Sequence, residues 1–265
     1  MIQVNRFPDF PKAAKAAGIF LAQTLESYRT TPILLLFSGG SALDILDGVS
    51  GAHLSPECAV GILDERITPD AQDRNIEKLT GTEFFGTLGH PAVIFPRQDG
   101  HLTDIALAYE SDIQTWLVNH PQHKIIITQG IGPDGHTAGI MPLVLKESVR
   151  DVVEMGPAGI VHTGDSKHDA MNAGAEKQYI TYFDAPDRWV VGYDAGAQNP
   201  FPDRVTVTFP FLRTADVSVV YACGAKKKVA LGRALESDGN LPATPARIIQ
   251  EMSHVVLFTD QNVSM

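Results

Sequence analysis

The chain has 265 residues, with 31 acidic against 21 basic side chains and a formal net charge of -10. That length suits one α/β domain, and 44% hydrophobic with 20% charged residues excludes a disordered chain. An acidic surface argues against non-specific binding to nucleic acid or an anionic membrane, so cations that grip an anionic ligand must be gathered locally.

Residues 1–10 show no basic region followed by an apolar stretch, and no apolar run is long enough to span a bilayer. The expectation is a soluble, cytoplasmic protein without a leader. Residues 10–29 are alanine-rich, with apolar positions spaced near 3.6, a helix. ILLLF at 33–37 is a continuous apolar run ending at a Gly pair, which reads as a buried parallel strand. AVGIL at 59–63, AVIF at 92–95 and KIIIT at 124–128 read the same way, with an amphipathic helix at 102–118 before the last of them. Further strands are expected at 189–193, 204–209, 217–223 and 254–258, and helices near 226–236 and 244–252. Cys58 and Cys223 lie in apolar runs and read as buried reduced thiols, with no Cys/His spacing for zinc. Residues 148–200, rich in Gly, Asp and His, read as a loop-rich insertion within one domain spanning 1–265. Strands alternating with helices imply an α/β fold: one open, mostly parallel sheet with helices on both faces.

In such sheets, ligands bind beyond the carboxyl ends of the strands, and three motifs fall there. Ser38-Gly39-Gly40-Ser41 follows the strand at 33–37 and precedes a helix expected near Ala42. Glycines allow close backbone approach to an anion, a helix start adds free N–H groups, and the serines add hydroxyls. A plain capped turn would look the same. Asp64-Glu65-Arg66 follows the strand at 59–63, with Asp73 and Asn75 downstream. It reads as a carboxylate with an anion-gripping guanidinium, or as a surface ion-pair cluster. The third motif runs from Gln129 to Ala138 and presents Asp134 and His136 in a glycine-rich loop. Its G-x-G-x-x-G pattern raises a dinucleotide site, but Asp134 would set a carboxylate against the pyrophosphate and Pro142 would break the helix that should follow. An imidazole held beside a carboxylate suits proton transfer near neutral pH.

In order and spacing, the three motifs resemble the superfamily of glucosamine-6-phosphate deaminases and 6-phosphogluconolactonases. RVTVTFPFL at 204–212 and the Gly224-to-Lys227 spacing resemble two further segments of it. The resemblance implies a Rossmann-like fold and a hydrolase acting on a phosphorylated sugar lactone in the pentose phosphate pathway, with no cofactor or metal. Within the superfamily, Arg66 and Thr137 match the lactonases, and Met141 stands where the deaminases carry a ring-opening glutamate. The roles it implies are His136 as general base, Asp134 as its orienting partner or a loop-shaping residue, Arg66 as oxyanion or substrate stabiliser, and Asp64 as sugar binder or proton carrier. Phosphate would be held by Ser38, Gly39, Gly40, Ser41, Arg204 and Lys227. Lys226 and Lys228 flank the last of these, and the choice among them rests on the G-x-x-K register. The same resemblance leaves a sugar-phosphate isomerase or deaminase as the alternative. Ala42 departs from the proline common after the SGG loop, and His162, His168 and Arg188 in 148–200 have no family counterpart.

Overall fold

The structure is a computed structural model. It describes residues 2–52, 54–55, 57–89, 91–143, 168–196 and 199–263, without the side chains of 168–173. The elements in chain order are β1 (Ile2–Arg6), α1 (Phe10–Ser27), β2 (Ile33–Phe37), β3 (Ala59–Ile62), β4 (Asp64–Arg66), α2 (Asn75–Thr80), α3 (Glu83–Thr87), β5 (Ala92–Ile94), α4 (Leu102–Asn119) and β6 (Lys124–Gly130). There follow α5 (His168–Phe183), β7 (Val190–Asp194), β8 (Asp203–Val207), α6 (Phe209–Arg213), β9 (Val217–Tyr221), α7 (Lys228–Leu235) and β10 (Val255–Thr259).

Seven strands form one sheet in the order β1-β10-β9-β6-β2-β3-β5, every neighbour parallel. Burial on both faces accounts for the uninterrupted apolar runs of β2 and β6. Along β2, Leu34 and Leu36 join a core shared with α4, α7 and a smaller sheet, whereas Ile33, Leu35 and Phe37 pack on the α1 side. Asp9 caps α1, its carboxylate accepting from the Lys12 N–H at 2.9 Å, and Pro11 sits in the first turn. From β2 the chain steps outward to β3 and β5, then returns to place β6 on the other side of β2. The loops after β2 and β6 therefore flank the point where strand order reverses, the crevice in which open α/β sheets hold ligands.

The structure modifies several expectations. β4, β8 and β7 make a separate three-stranded antiparallel sheet, so Asp64-Glu65-Arg66 is strand rather than loop. Its register sets Arg66 opposite Arg204 and Asp64 opposite Thr206. No α-helix follows the SGGS loop: Gly40–Leu46 is a 3-10 stretch, as is Pro245–Gln250 near the C-terminus. The first loop thus offers its own N–H and hydroxyl groups rather than an α-helix terminus. Within 148–200, residues 168–183 are helical and 190–194 are strand, while 148–167, including His162, lie outside the described residues. Cys58 is buried, and burial pushes its thiol up to about 12; Cys223 is only partly covered. No helix among the described residues is long and apolar enough to cross a membrane.

Candidate active site

A cleft of about 230 Å³ opens at the carboxyl edge of the large sheet. Ser38 to Ser41, Asp64, Arg66, Asn75, His136, Ala138, Gly139, Arg204 and Lys227 all line it. The three motifs and the two later segments thus meet in one place.

The loop after β2 is tied to the sheet by the Ser38 N–H, which donates to the Thr128 carbonyl of β6 at 3.0 Å. Gly40 has φ of +65°, a left-handed conformation that glycine takes without steric cost. Gly39 is needed for a different reason, since a Cβ there would collide with the Asn75 carboxamide. The Ser38 hydroxyl is buried without a hydrogen-bond partner among the described residues, an open donor at the cleft wall. At the cleft's other corner the Lys227 ammonium donates to the Ser41 hydroxyl at 2.8 Å. Lys227 lines the cleft, whereas Lys226 and Lys228 are exposed and absent from the lining. Burial lowers the Lys227 pKa from the usual lysine value, nearby Asp44 and Asp260 opposing the shift.

Strand β4 supplies the acid and the guanidinium. Asp64 is 6% exposed; its carboxylate lies 3.4 Å from Arg204 Nη1 and accepts from Asn75 Nδ2 at 3.2 Å. Asn75 also donates to the Asp64 carbonyl at 2.8 Å. Glu65, next along the strand, points away and is fully buried. Its carboxylate accepts from the N–H groups of Arg66, Asn75 and Ile76 at 2.7, 2.6 and 3.0 Å. It thereby holds the start of α2 against β4, a scaffold role that the D-E-R pattern alone did not disclose. Burial raises its pKa despite those donors.

Arg66 donates to the Asp73 carbonyl at 3.0 Å and stacks on Phe201 at 4.5 Å, leaving its Nε buried and unpartnered among the described residues. Burial lowers the Arg66 pKa first, and the Arg204 charge across the strands adds to that. Like charges at opposed strand positions repel. Asp64 and the Asn199 side-chain oxygen, 3.3 Å from Arg204 Nη2, offset part of this, and an anion in the cleft would offset more.

The loop after β6 presents the imidazole. His136 Nδ1 lies 2.6 Å from Asp134 Oδ1, and the His136 N–H donates to the same oxygen at 3.1 Å. A carboxylate only accepts, so Nδ1 carries the proton and Nε2 is left as the basic atom. For Asp134, burial pushes its pKa upward, but hydrogen bonds and charge from His136 outweigh that and hold it below the usual carboxylate value. Asp134 does not itself line the cleft; it backs His136, which does. Gly132 leaves the space these two side chains fill. Thr137 is turned inward, its single hydroxyl proton shared between the Gly130 carbonyl at 2.8 Å and Gln129 Oε1 at 3.1 Å, and it is absent from the cleft lining.

Residues 11–158 and 174–258 match the family model described as glucosamine-6-phosphate isomerases/6-phosphogluconolactonase. The chain belongs to this family. A 6-phosphogluconolactonase of Nostoc sp. is 26% identical over 235 residues, 85% of this chain and 81% of that protein. An Arabidopsis thaliana protein named 6-phosphogluconolactonase 3, chloroplastic, is 23% identical over 76% of this chain, which spans about half (54%) of its length. Among solved structures, the 6-phosphogluconolactonase of Thermotoga maritima superposes with a TM-score of 0.65 at 18% identity, covering 98% of this chain and 99% of that one. That of Trypanosoma cruzi gives 0.69 at 18% identity, with 98% and 94% covered. These structures share the family fold.

Proposed function

We propose that this family member hydrolyses 6-phosphogluconolactone to 6-phosphogluconate. The observation that carries the reading is the Asp134-His136 pair, which leaves a basic Nε2 in a cleft that also holds Lys227 and the Arg66-Arg204 pair. The names of the relatives support it, as do Arg66 and Thr137 at lactonase-like positions and the thioether of Met141 at the position of the deaminases' acid.

On this reading, Lys227, Ser41, Ser38 and the intervening glycine loop hold the phosphate, with Arg204 adding charge. His136 Nε2 takes a proton from a water whose oxygen adds to the lactone carbonyl carbon. Asp134 stabilises the imidazolium that results and holds its orientation. When the tetrahedral intermediate collapses, the bond from that carbon to the ring oxygen breaks, and His136 returns the proton to the leaving oxygen. The product is an open-chain acid that ionises to a carboxylate. Arg66 faces the charge that builds up during this cycle. The coenzyme-free scheme needs no group beyond these side chains and water.

The test is a side-by-side assay of wild type and His136→Ala on 6-phosphogluconolactone, corrected for spontaneous hydrolysis, with glucosamine 6-phosphate as control. General acid–base catalysis is worth about 10²–10⁴ in rate, and His136→Ala should lose that much. Near-normal turnover by the variant removes His136 from the mechanism. Substantial ammonia release from glucosamine 6-phosphate would move the assignment to the deaminase branch.

A further inference from the structure

Residues Thr137 to Ile140 form a tight turn between the imidazole loop and the rest of the chain. The Ile140 N–H donates to the Thr137 carbonyl at 2.8 Å, and the two residues make an isolated antiparallel bridge. The central residues are both left-handed, Ala138 with φ of +47° and Gly139 with φ of +69°. Such a mirror-image turn favours Asn, Asp or Gly at both positions. Ala138 is the one non-glycine residue with positive φ among the described residues, and strain of that kind persists only where the surroundings impose it.

The surroundings here are two buried hydroxyls. Thr206 of β8 donates to the Ala138 carbonyl, and Tyr193 of β7 donates to the Gly139 carbonyl. In a trans peptide the N–H lies opposite the carbonyl of the same unit. Thr206 therefore aims the Gly139 N–H away from the small sheet. Successive N–H groups in a turn make an anion-binding concavity. Neither the Ala138 nor the Gly139 N–H has an acceptor among the described residues, and both residues line the cleft with His136 and Asp64. Gly139 also packs so closely on Asp64 that a Cβ there would lie 2.5 Å from the Asp64 Cβ.

We propose that the main-chain N–H groups of Ala138 and Gly139 stabilise the oxyanion formed when water adds to the lactone carbonyl, with Thr206 and Tyr193 as positioning residues. The inference rests on the lactonase reading above. It adds to Arg66 a pair of neutral donors fixed before the substrate arrives, so no reorganisation is needed as charge moves from the water to the carbonyl oxygen. When the intermediate collapses, the same donors release the oxygen as part of a carboxylate.

Replacing Ala138 with lactic acid by nonsense suppression exchanges its N–H for an ester oxygen and leaves the side chain intact. Losing one oxyanion donor costs about 10²–10³ in kcat, with KM little changed because the interaction is made only in the transition state. Thr206→Val and Tyr193→Phe should each lower kcat by roughly tenfold, and Thr206→Ser, which keeps the hydroxyl, should recover most of that loss. Titrating ¹⁵N-labelled wild type with 6-phosphogluconate should move the Gly139 amide proton downfield, a shift that a purely structural turn would not produce. Wild-type kcat in the ester variant and in Tyr193→Phe overturns the proposal, as does a Gly139 amide unmoved at saturating product. If wild type itself does not hydrolyse the lactone, the reading under it fails; lactonase activity indifferent to these changes fails the oxyanion assignment alone.

Discussion

Replacing Gly132 by alanine tests the imidazole geometry without touching a charged group. A Cβ on Gly132 would stand 2.6 Å from Asp134 Oδ1 and closer still to the His136 ring, against the 3.4 Å at which ordinary contact begins. Gly132 is not left-handed, so its backbone tolerates alanine and the strain falls on the two side chains. Both must retreat by about 1 Å, which breaks the 2.6 Å hydrogen bond between them and carries Nε2 off its line of attack. A misplacement of about 1 Å costs on the order of 10² in rate, or about 2.7 kcal/mol of transition-state stabilisation. KM should stay within about threefold, because Lys227, Ser41 and the two arginines lie outside the collision. The assay is kcat on 6-phosphogluconolactone, corrected for spontaneous opening, with His136→Ala and the double variant alongside. Residues that act as a unit are not additive, so the double variant should be no slower than His136→Ala. If Gly132→Ala keeps kcat within threefold of wild type, the imidazole position seen here is not the one that matters.

Three further outcomes follow from the same contacts. Lys227→Ala should raise KM about 10- to 100-fold, the worth of one charge-assisted hydrogen bond of roughly 1.5–3 kcal/mol, with a smaller effect on kcat. Burial lowers the Lys227 pKa, and a bound phosphate favours the ammonium, so binding takes up a proton and affinity falls as pH rises through that lowered value. KM of wild type should therefore climb on the alkaline side while that of Lys227→Arg stays flatter; parallel profiles would remove Lys227 from the phosphate site. Glu65→Ala leaves three N–H groups without their buried acceptor, each worth about 1–3 kcal/mol, partly offset by no longer burying the carboxylate. Urea titration should show a loss on the order of 3 kcal/mol, and a loss under about 1 kcal/mol would mean that the β4–α2 junction is held by something else. Gly232→Ala, inside α7 with open space around the new methyl group, should gain about 0.5–1 kcal/mol and raise Tm by roughly 2 °C. A lower Tm would show that the position is crowded.

Much of the large sheet could be read directly from residue order, because strands buried on both faces require unbroken apolar runs and ILLLF and KIIIT leave little else to choose. Asp64-Glu65-Arg66 escaped that logic: it forms a strand although every side chain in it is ionisable. Its pairing with β8 depends on a partner distant in the chain, and Glu65 is covered through hydrogen bonds rather than apolar contact. Edge strand β1 (IQVNR) mixes polar and apolar positions and gives no continuous run. Helix α5 buries Ala175, Tyr179 and Phe183 at i, i+4 and i+8, but its Gly, Asp and His content resembled loop. The expected helix after Ser41 failed for a different reason. A glycine pair before an apolar segment specifies a turn, but not whether the next turn winds as α or 3-10.

Most of the residues proposed to carry the chemistry stand out in the sequence because they occupy short contiguous motifs at strand ends. What joins the motifs does not, since it consists of exclusions between them: Gly39 making room for Asn75 and Gly139 for Asp64. A glycine in a turn and a glycine that vacates space for a side chain from another loop look identical in one dimension. The same holds for charge. A chain with a net charge of -10 gathers Arg66, Arg204 and Lys227 around one cleft, two of them on facing strand positions where they repel. Burying that repulsion costs stability in the free protein, and an anion relieves it. A phosphorylated lactone brings a dianion on entry and generates further negative charge at its carbonyl as water adds. On the proposed reading, the cation cluster suits both events, with Lys227 at the phosphate loop and Arg66 on the strand that carries Asp64.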